Sequence, residues 1–362
     1  MTALVLGRPF PASPGLLVPA ARVLAELTRD LAPVAVRRLP LGEAEGGVLA
    51  AALVAPSPVP PRAVALRRGY AVAAADTTGA GPYSPLPLAS VPTLVGPGDV
   101  LPSGADAVLP EDAVSIAAGL VEVQESVAPG FWARRRGEDA AAGTVLREAG
   151  LALRPVDVAV AGAAGLQEAL IRRPKVLVAG RGDAAGLVAA LAREAGAEVR
   201  LAPKIGPGES AGYDLAIVIE AVEEQAKALP EAGGRLVAAR LALWPGEDGA
   251  ALVEGTCPVL LAQPRLADAL GVFLGLGLPV LRQLAGAKPG LVERGPLARK
   301  VASSVGIAEL VLLRRAPGGL EPLATGDPPL AAIAAAEAWL IVPPESEGFA
   351  AGETIEAERF RP

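Results

Sequence analysis

"PKVLVAGRGDAAGLVAALAREAGAEVRLA", residues 174–202, decides the fold. Its opening run, Val176 to Ala179, is apolar without alternation, the mark of a strand buried on both faces. Residues 184–197 then place apolar side chains at helical spacing and stop at Gly196, and "EVRLA" (198–202) reads as the next strand. Strand, helix and strand at this spacing make a βαβ unit on a parallel sheet. "YDLAIVIEA" (213–221), "GRLVAAR" (234–240) and "CPVLLAQ" (257–263) continue the strands with helical segments between them, so residues 172–286 read as an α/β domain.

Outward from this domain the pattern changes. "PAARVLAELTRDLA" (19–32) has Val23, Leu24, Leu27 and Leu31 on one helical face. It opens a helical linker domain, 17–60, to which the chain returns at 145–171. Between these, residues 61–144 hold short β-like runs separated by Gly and Pro turns, the pattern of an inserted β module. Short β-runs return over 287–362 and read as a separate C-terminal β-domain. The fold class is therefore multi-domain α/β plus β.

Composition excludes several functions. The 362 residues carry a net charge of −6 and only 3% aromatics, so neither an electrostatic footprint nor a stacking platform for nucleic acid is expected. Histidine is absent, which removes Ser-His-Asp triads and His-ligated zinc. With Cys257 the sole cysteine, any metal is a hard cation on carboxylate oxygens, magnesium first. The N-terminal "MTALVLGRPFPASPG" lacks the plan of a signal peptide, and the longest apolar stretch, "LGVFLGLGLPVL" (270–281), is too short to span a bilayer. A cytoplasmic protein without a membrane partner is expected.

Two stretches carry candidate chemistry. Gly180, Gly182 and Gly186 sit where the first strand meets its helix, where backbone N–H groups favour an anion; a tight βα turn is the preferred reading of them. In "RRRGED" (134–139), arginines can grip an oxyanion while Glu138 and Asp139 could hold magnesium; alternating charges in a solvated turn are the other reading. "EAVEEQAKALPE" (220–231) reads as a solvated helix face, and Ser303-Ser304 as a turn or strand edge.

Several stretches, in this order, resemble the molybdopterin molybdenumtransferase family, the MoeA and gephyrin E-domain group. They are "RRGYAVAAADTTGA" (67–80), "LPSGADAVLPEDAV" (101–114), "RRRGEDAAAGTVLREAGLALRPVDVAVAGAAG" (134–165), "RRPKVLVAGRGD" (172–183), "RKVASSVGIAEL" (299–310) and "AEAWLIVPPESEGFAAGETIE" (336–356). The resemblance implies a molybdopterin-binding-type α/β domain in an elongated homodimer whose ligand site is shared between subunits. It also implies molybdopterin or its adenylate as ligand, and magnesium. Arg134 and Asp139 would be catalytic remnants, Glu138 and Asp139 the magnesium ligands, and Gly180, Gly182, Asp183 and Arg134 the ligand-binding set.

The departures are concentrated at the family's site loops. Arg68 stands for its Asp, Arg181 for a Thr, Ala184 for a Glu, and "IEAVEEQ" (219–225) for a Ser-Gly loop. The lysines of K-P-G-K-P fall on Trp244 and Glu247 of "LWPGED" (243–248), and a Gly-rich loop falls on "LAQPRL" (261–266). Losing two positive charges where an anionic ligand would sit points to a catalytically degenerate protein that binds or scaffolds, with a molybdoenzyme or another cofactor-biosynthesis protein as partner. An active molybdenumtransferase whose site is rewired through Arg68 and Arg181 is the alternative. Apart from the resemblance, an α/β nucleotide-binding enzyme using Gly180–Gly186 is a third reading.

Overall fold

The computed structural model describes residues 16–360 except 118–119, 207, 221 and 223–233. The N-terminal 15 residues and most of the stretch at 220–231 thus lie outside the described residues. The α/β sheet has six strands in the order Glu198–Ala202, Lys175–Gly180, Leu215–Ile219, Cys257–Ala262, Ala250–Glu254 and Arg235–Ala238. The first four are parallel, as the apolar runs imply, and Leu215–Ile219 is buried throughout. The last two are antiparallel, which departs from the βαβ reading of residues 234–263. Glu254 and Cys257 are paired across only Gly255 and Thr256, and a two-residue link can join only antiparallel strands.

The second sheet runs Val18–Pro19, Leu241–Trp244, Ala308–Ala316, Ala338–Val342, Thr354–Arg359 and Val292–Pro296, with Gly319–Thr325 also paired to Ala308–Ala316. Leu241–Trp244 leaves the α/β segment to join this sheet, parallel to Ala308–Ala316 through Leu243↔Ala308 and Trp244↔Glu309. Between the two sheets lies one helical run, Leu266–Ala285, whose middle, Phe273–Gly277, widens into a π-helix. Its hydrophobic cluster takes Ile217 and Leu260 from one sheet and Leu310, Leu312 and Trp339 from the other. The boundary at 286/287 therefore falls within a shared core.

This helix corrects the reading of residues 270–281 as a short apolar stretch. By length and composition it could cross a membrane, but 72% of its apolar window is buried between the sheets. An all-round apolar helix inside a large core needs no lipid. Two glycines face the sheets: a Cβ at Gly275 would lie 2.8 Å from Leu243 Cδ2, and one at Gly277 3.5 Å from Ile217 Cδ1 and Leu260 Cδ1. Helix Ala20–Thr28, expected in the linker, buries Val23 and Leu27 in this same cluster. Gln283 fastens it by donating from Nε2 to the carbonyls of Thr28 (2.9 Å) and Leu31 (2.8 Å).

The remaining linker is a small unit: an antiparallel sheet of Arg37–Pro40, Glu168–Arg172 and Val48–Leu49, covered by helix Pro155–Ala163. Asp157 caps that helix, accepting from the Arg154 backbone N–H at 2.9 Å and from Arg154 Nη2 at 2.8 Å. The hydrogen bonds from Arg154 hold its carboxyl below the usual range. The inserted module contains two three-stranded sheets, one centred on Gly69–Val72 and one on Leu120–Val123. A short ladder closes it, pairing Val64–Ala65 with Ala133–Arg134.

Candidate functional site

The structure brings Arg134, Glu138 and Asp139 together at the end of that ladder. Arg134 is the last residue of its strand, and the chain turns at Gly137, whose N–H donates to the Pro60 carbonyl at 2.9 Å. Glu138 Oε2 accepts from the Arg135 backbone N–H at 2.7 Å, and Arg134 Nη1 lies 3.3 Å from Asp139 Oδ1. Both carboxylates are thus satisfied by arginine groups within the turn. Among the described residues no three Asp, Glu, Cys or His side chains converge, and a cation at Glu138 and Asp139 would have to displace these arginine contacts.

Gly180, Gly182 and Asp183 lie elsewhere, at the carboxyl end of the parallel strands. Gly180 has φ +144°, and a Cβ there would sit 2.5 Å from the Ile219 carbonyl oxygen. Contact with the adjoining strand therefore explains this glycine, without a ligand. Gly182 (φ +82°) is the N-cap of helix Asp183–Glu194, and a Cβ there would meet open space. Arg181, Gly182 and Asp183 are exposed, so the helix start is accessible.

A third group, only partly visible in the sequence, forms where the α/β unit meets the second sheet. Trp244 and Glu247 come from "LWPGED", where the family's lysines would stand. Folding adds Arg265, Asp268 and Asp327 to them. Arg265 pairs with Asp327 and, at 3.5 Å from its Nη1, with Asp268 Oδ2. Burial pushes the Asp268 carboxyl up to about 6, the charges of Glu247, Asp327 and Asp248 add to the rise, and Arg265 opposes it. Glu247 Oε2 is buried without a hydrogen-bond partner. The Trp244 ring packs on Gly326, where a Cβ would lie 3.3 Å from Cδ2. The Arg265–Asp268 spacing of three was a legible signal for a helix-start pair, whereas nothing local announces Asp327. This corner gathers Glu247, Asp248, Asp268 and Asp327 about Arg265, with Arg240 on Asp248 at 3.2 Å, so carboxylates outnumber arginines there.

The layered architecture, with a module inserted in the N-terminal unit, defines a multi-domain α/β plus β protein. Residues 18–165 match the MoeA N-terminal region, domains I and II. Over 180 residues the chain is 35% identical to molybdopterin molybdenumtransferase 2 of Mycobacterium tuberculosis, covering 45% of this chain and 44% of that protein. The match thus spans less than half of that relative's length. Two MoeA crystal structures from Pyrococcus horikoshii share the fold: one at TM-score 0.68 and 21% identity over 96% of this chain and all of that one, the other at 0.68 and 23% over 95% and all. A molybdenum cofactor biosynthesis protein from Pyrococcus furiosus matches at TM-score 0.58 and 18% identity, over 95% of this chain and all of that one. Residues 18–165 are thus similar to a MoeA N-terminal region, and the chain as a whole shares the fold of the MoeA crystal structures.

Proposed function

We propose that this chain serves molybdenum cofactor biosynthesis or handling in the cytoplasm, as a MoeA-like binding or scaffold protein that has lost molybdate insertion. One observation carries the reading. Where the resemblance puts two lysines against an anionic pterin phosphate, the structure has Trp244 on Gly326 and carboxylates around Arg265. Electrostatic stabilisation is the main resource of such a reaction, and each donor removed costs roughly 3 kcal/mol. Of the two arginines in the rewired alternative, Arg68 is already held by Glu111, with Nε 2.6 Å from Oε1, whereas Arg181 is exposed and forms no ion pair among the described residues. Expression of the chain in a strain lacking its molybdenum insertase is expected not to restore molybdoenzyme activity. Rescue would sink this reading and favour the rewired enzyme. Molybdopterin binding in calorimetry without rescue is the result that fits a binding protein.

The homodimer implied by the resemblance has a suitable face. Helix Pro155–Ala163 points its only charged residue, Asp157, inward and leaves Val156 (54% exposed) and Val160 (45%) outward with Pro155, Ala159, Gly162 and Ala163. Val145 and Val54, paired across the adjacent strands, extend the apolar surface. A face without charge lets two copies of net charge −6 meet without desolvating ions. Val160→Arg is expected to weaken self-association at least about tenfold in sedimentation. A dimer indifferent to this change, with circular dichroism unaltered, excludes the face.

A further inference from the structure

We propose that the arginine corner of the inserted module is a docking surface for an acidic protein segment. The segments 60–66 and 132–137 run antiparallel, bracketed by hydrogen bonds from Leu66 N–H to Trp132 O (2.8 Å) and from Gly137 N–H to Pro60 O (2.9 Å). They gather Arg62, Arg67, Arg68, Arg134, Arg135 and Arg136 at one edge of the module. Among the described residues three carboxylates answer them: Glu111 on Arg68, Asp139 on Arg134 and Glu138 on Arg135. Arg62, Arg67 and Arg136 are exposed and have no carboxylate partner among the described residues. Such a concentration of positive charge, on a chain of net charge −6, is a complementary surface for acid.

The apolar part of the corner shows what kind of acid. Trp132 has φ +50°, a conformation that costs a non-glycine residue energy and persists only where the surroundings hold it. Phe131 stacks on its ring at 5.1 Å, and the Arg67 guanidinium lies 5.0 Å from its centre. Beside it Leu66 is 46% exposed. Tryptophan, arginine and an exposed aliphatic side chain are the composition of a protein-contact hot spot. Arg62, Leu66, Arg67, Arg135 and Arg136 are all exposed at the corner, an open surface suited to an extended segment. The inference goes beyond the cofactor reading, and its test contains no molybdopterin, so either can fail alone.

The probe is a fluorescein-labelled twelve-residue peptide of Glu and Asp with a central Phe, read by anisotropy against the full chain. Binding that weakens steeply with salt is expected, together with loss of the signal for the Gln/Asn version of the peptide. The triple change Arg62→Ser, Arg67→Ser, Arg136→Ser is expected to weaken binding roughly tenfold or more, and Leu66→Asp, which keeps all six arginines, to weaken it as well. Unchanged affinity in both variants, or indifference to salt in the wild type, overturns the proposal. So does no binding, or tighter binding of a twenty-nucleotide oligo-dT or of phosphatidylserine vesicles than of the peptide.

Discussion

Phe273→Ala will cost about 3–5 kcal/mol of stability and will loosen the α/β sheet and the C-terminal sheet in one transition. The ring is 1% exposed in the helix between the sheets, packed in the cluster that also contains Ile217, Leu260, Leu312 and Trp339. Truncation leaves a cavity that the close-packed surroundings fill only in part, since at Gly275 the helix backbone is already against Leu243. Arg282 on this helix pairs with Glu358 of strand Thr354–Arg359, a polar tie across the same boundary. Urea unfolding can be followed by tryptophan fluorescence and by far-ultraviolet circular dichroism. Coincident midpoints that move down together are expected. If the fluorescence transition shifts while most of the helical signal unfolds at its former midpoint, the shared core is wrong. In that case residues beyond 286 fold independently.

That core also marks the limit of what the sequence discloses. The parallel strands were legible because burial on both faces writes itself as an apolar run, as in Val176–Ala179. Helix Leu266–Ala285 was not, since Gly271, Gly275, Gly277 and Pro279 oppose helix formation locally, and burial between two sheets overrides them. Leu241–Trp244 is apolar enough to be a strand, but nothing local tells that its partner is Ala308–Ala316 and not the sheet its neighbours join. The sites divide in the same way. Arg134 and Asp139 are five positions apart and meet across one turn, whereas Arg265 and Asp327 are 62 apart and meet only once the two sheets share a core. The Gly180 turn had two open readings, and the Ile219 carbonyl at its α-carbon is sufficient cause for the glycine.

Asp268→Asn will reverse part of the pH dependence of folding. Asp268 is 6% exposed, and its carboxyl stands at about 6 against an ordinary 3.8, chiefly through burial. The folded value is raised above the unfolded one, so the group's favourable contribution is complete below about pH 4 and is lost as pH rises through about 6. This runs opposite to the usual paired carboxylate, which loses stability on acidification. Glu247, Asp248 and Asp327 push in the same direction as burial, and Arg265 limits the shift. Two pH units of displacement correspond to about 3 kcal/mol. Asparagine cannot ionise, so the difference in unfolding free energy between variant and wild type should move by that order in the variant's favour between pH 4 and pH 7.5. The attraction of Arg265 for the charged carboxylate is already contained in that displacement, which it limits. Urea titrations at pH 4.0, 5.0, 6.0 and 7.5 check this, and a difference that stays flat across the window refutes it. The same physics bears on function: an anion placed beside Asp268 would raise its carboxyl further and be repelled by Glu247 and Asp327, so this corner selects against the phosphate that two lysines would have held.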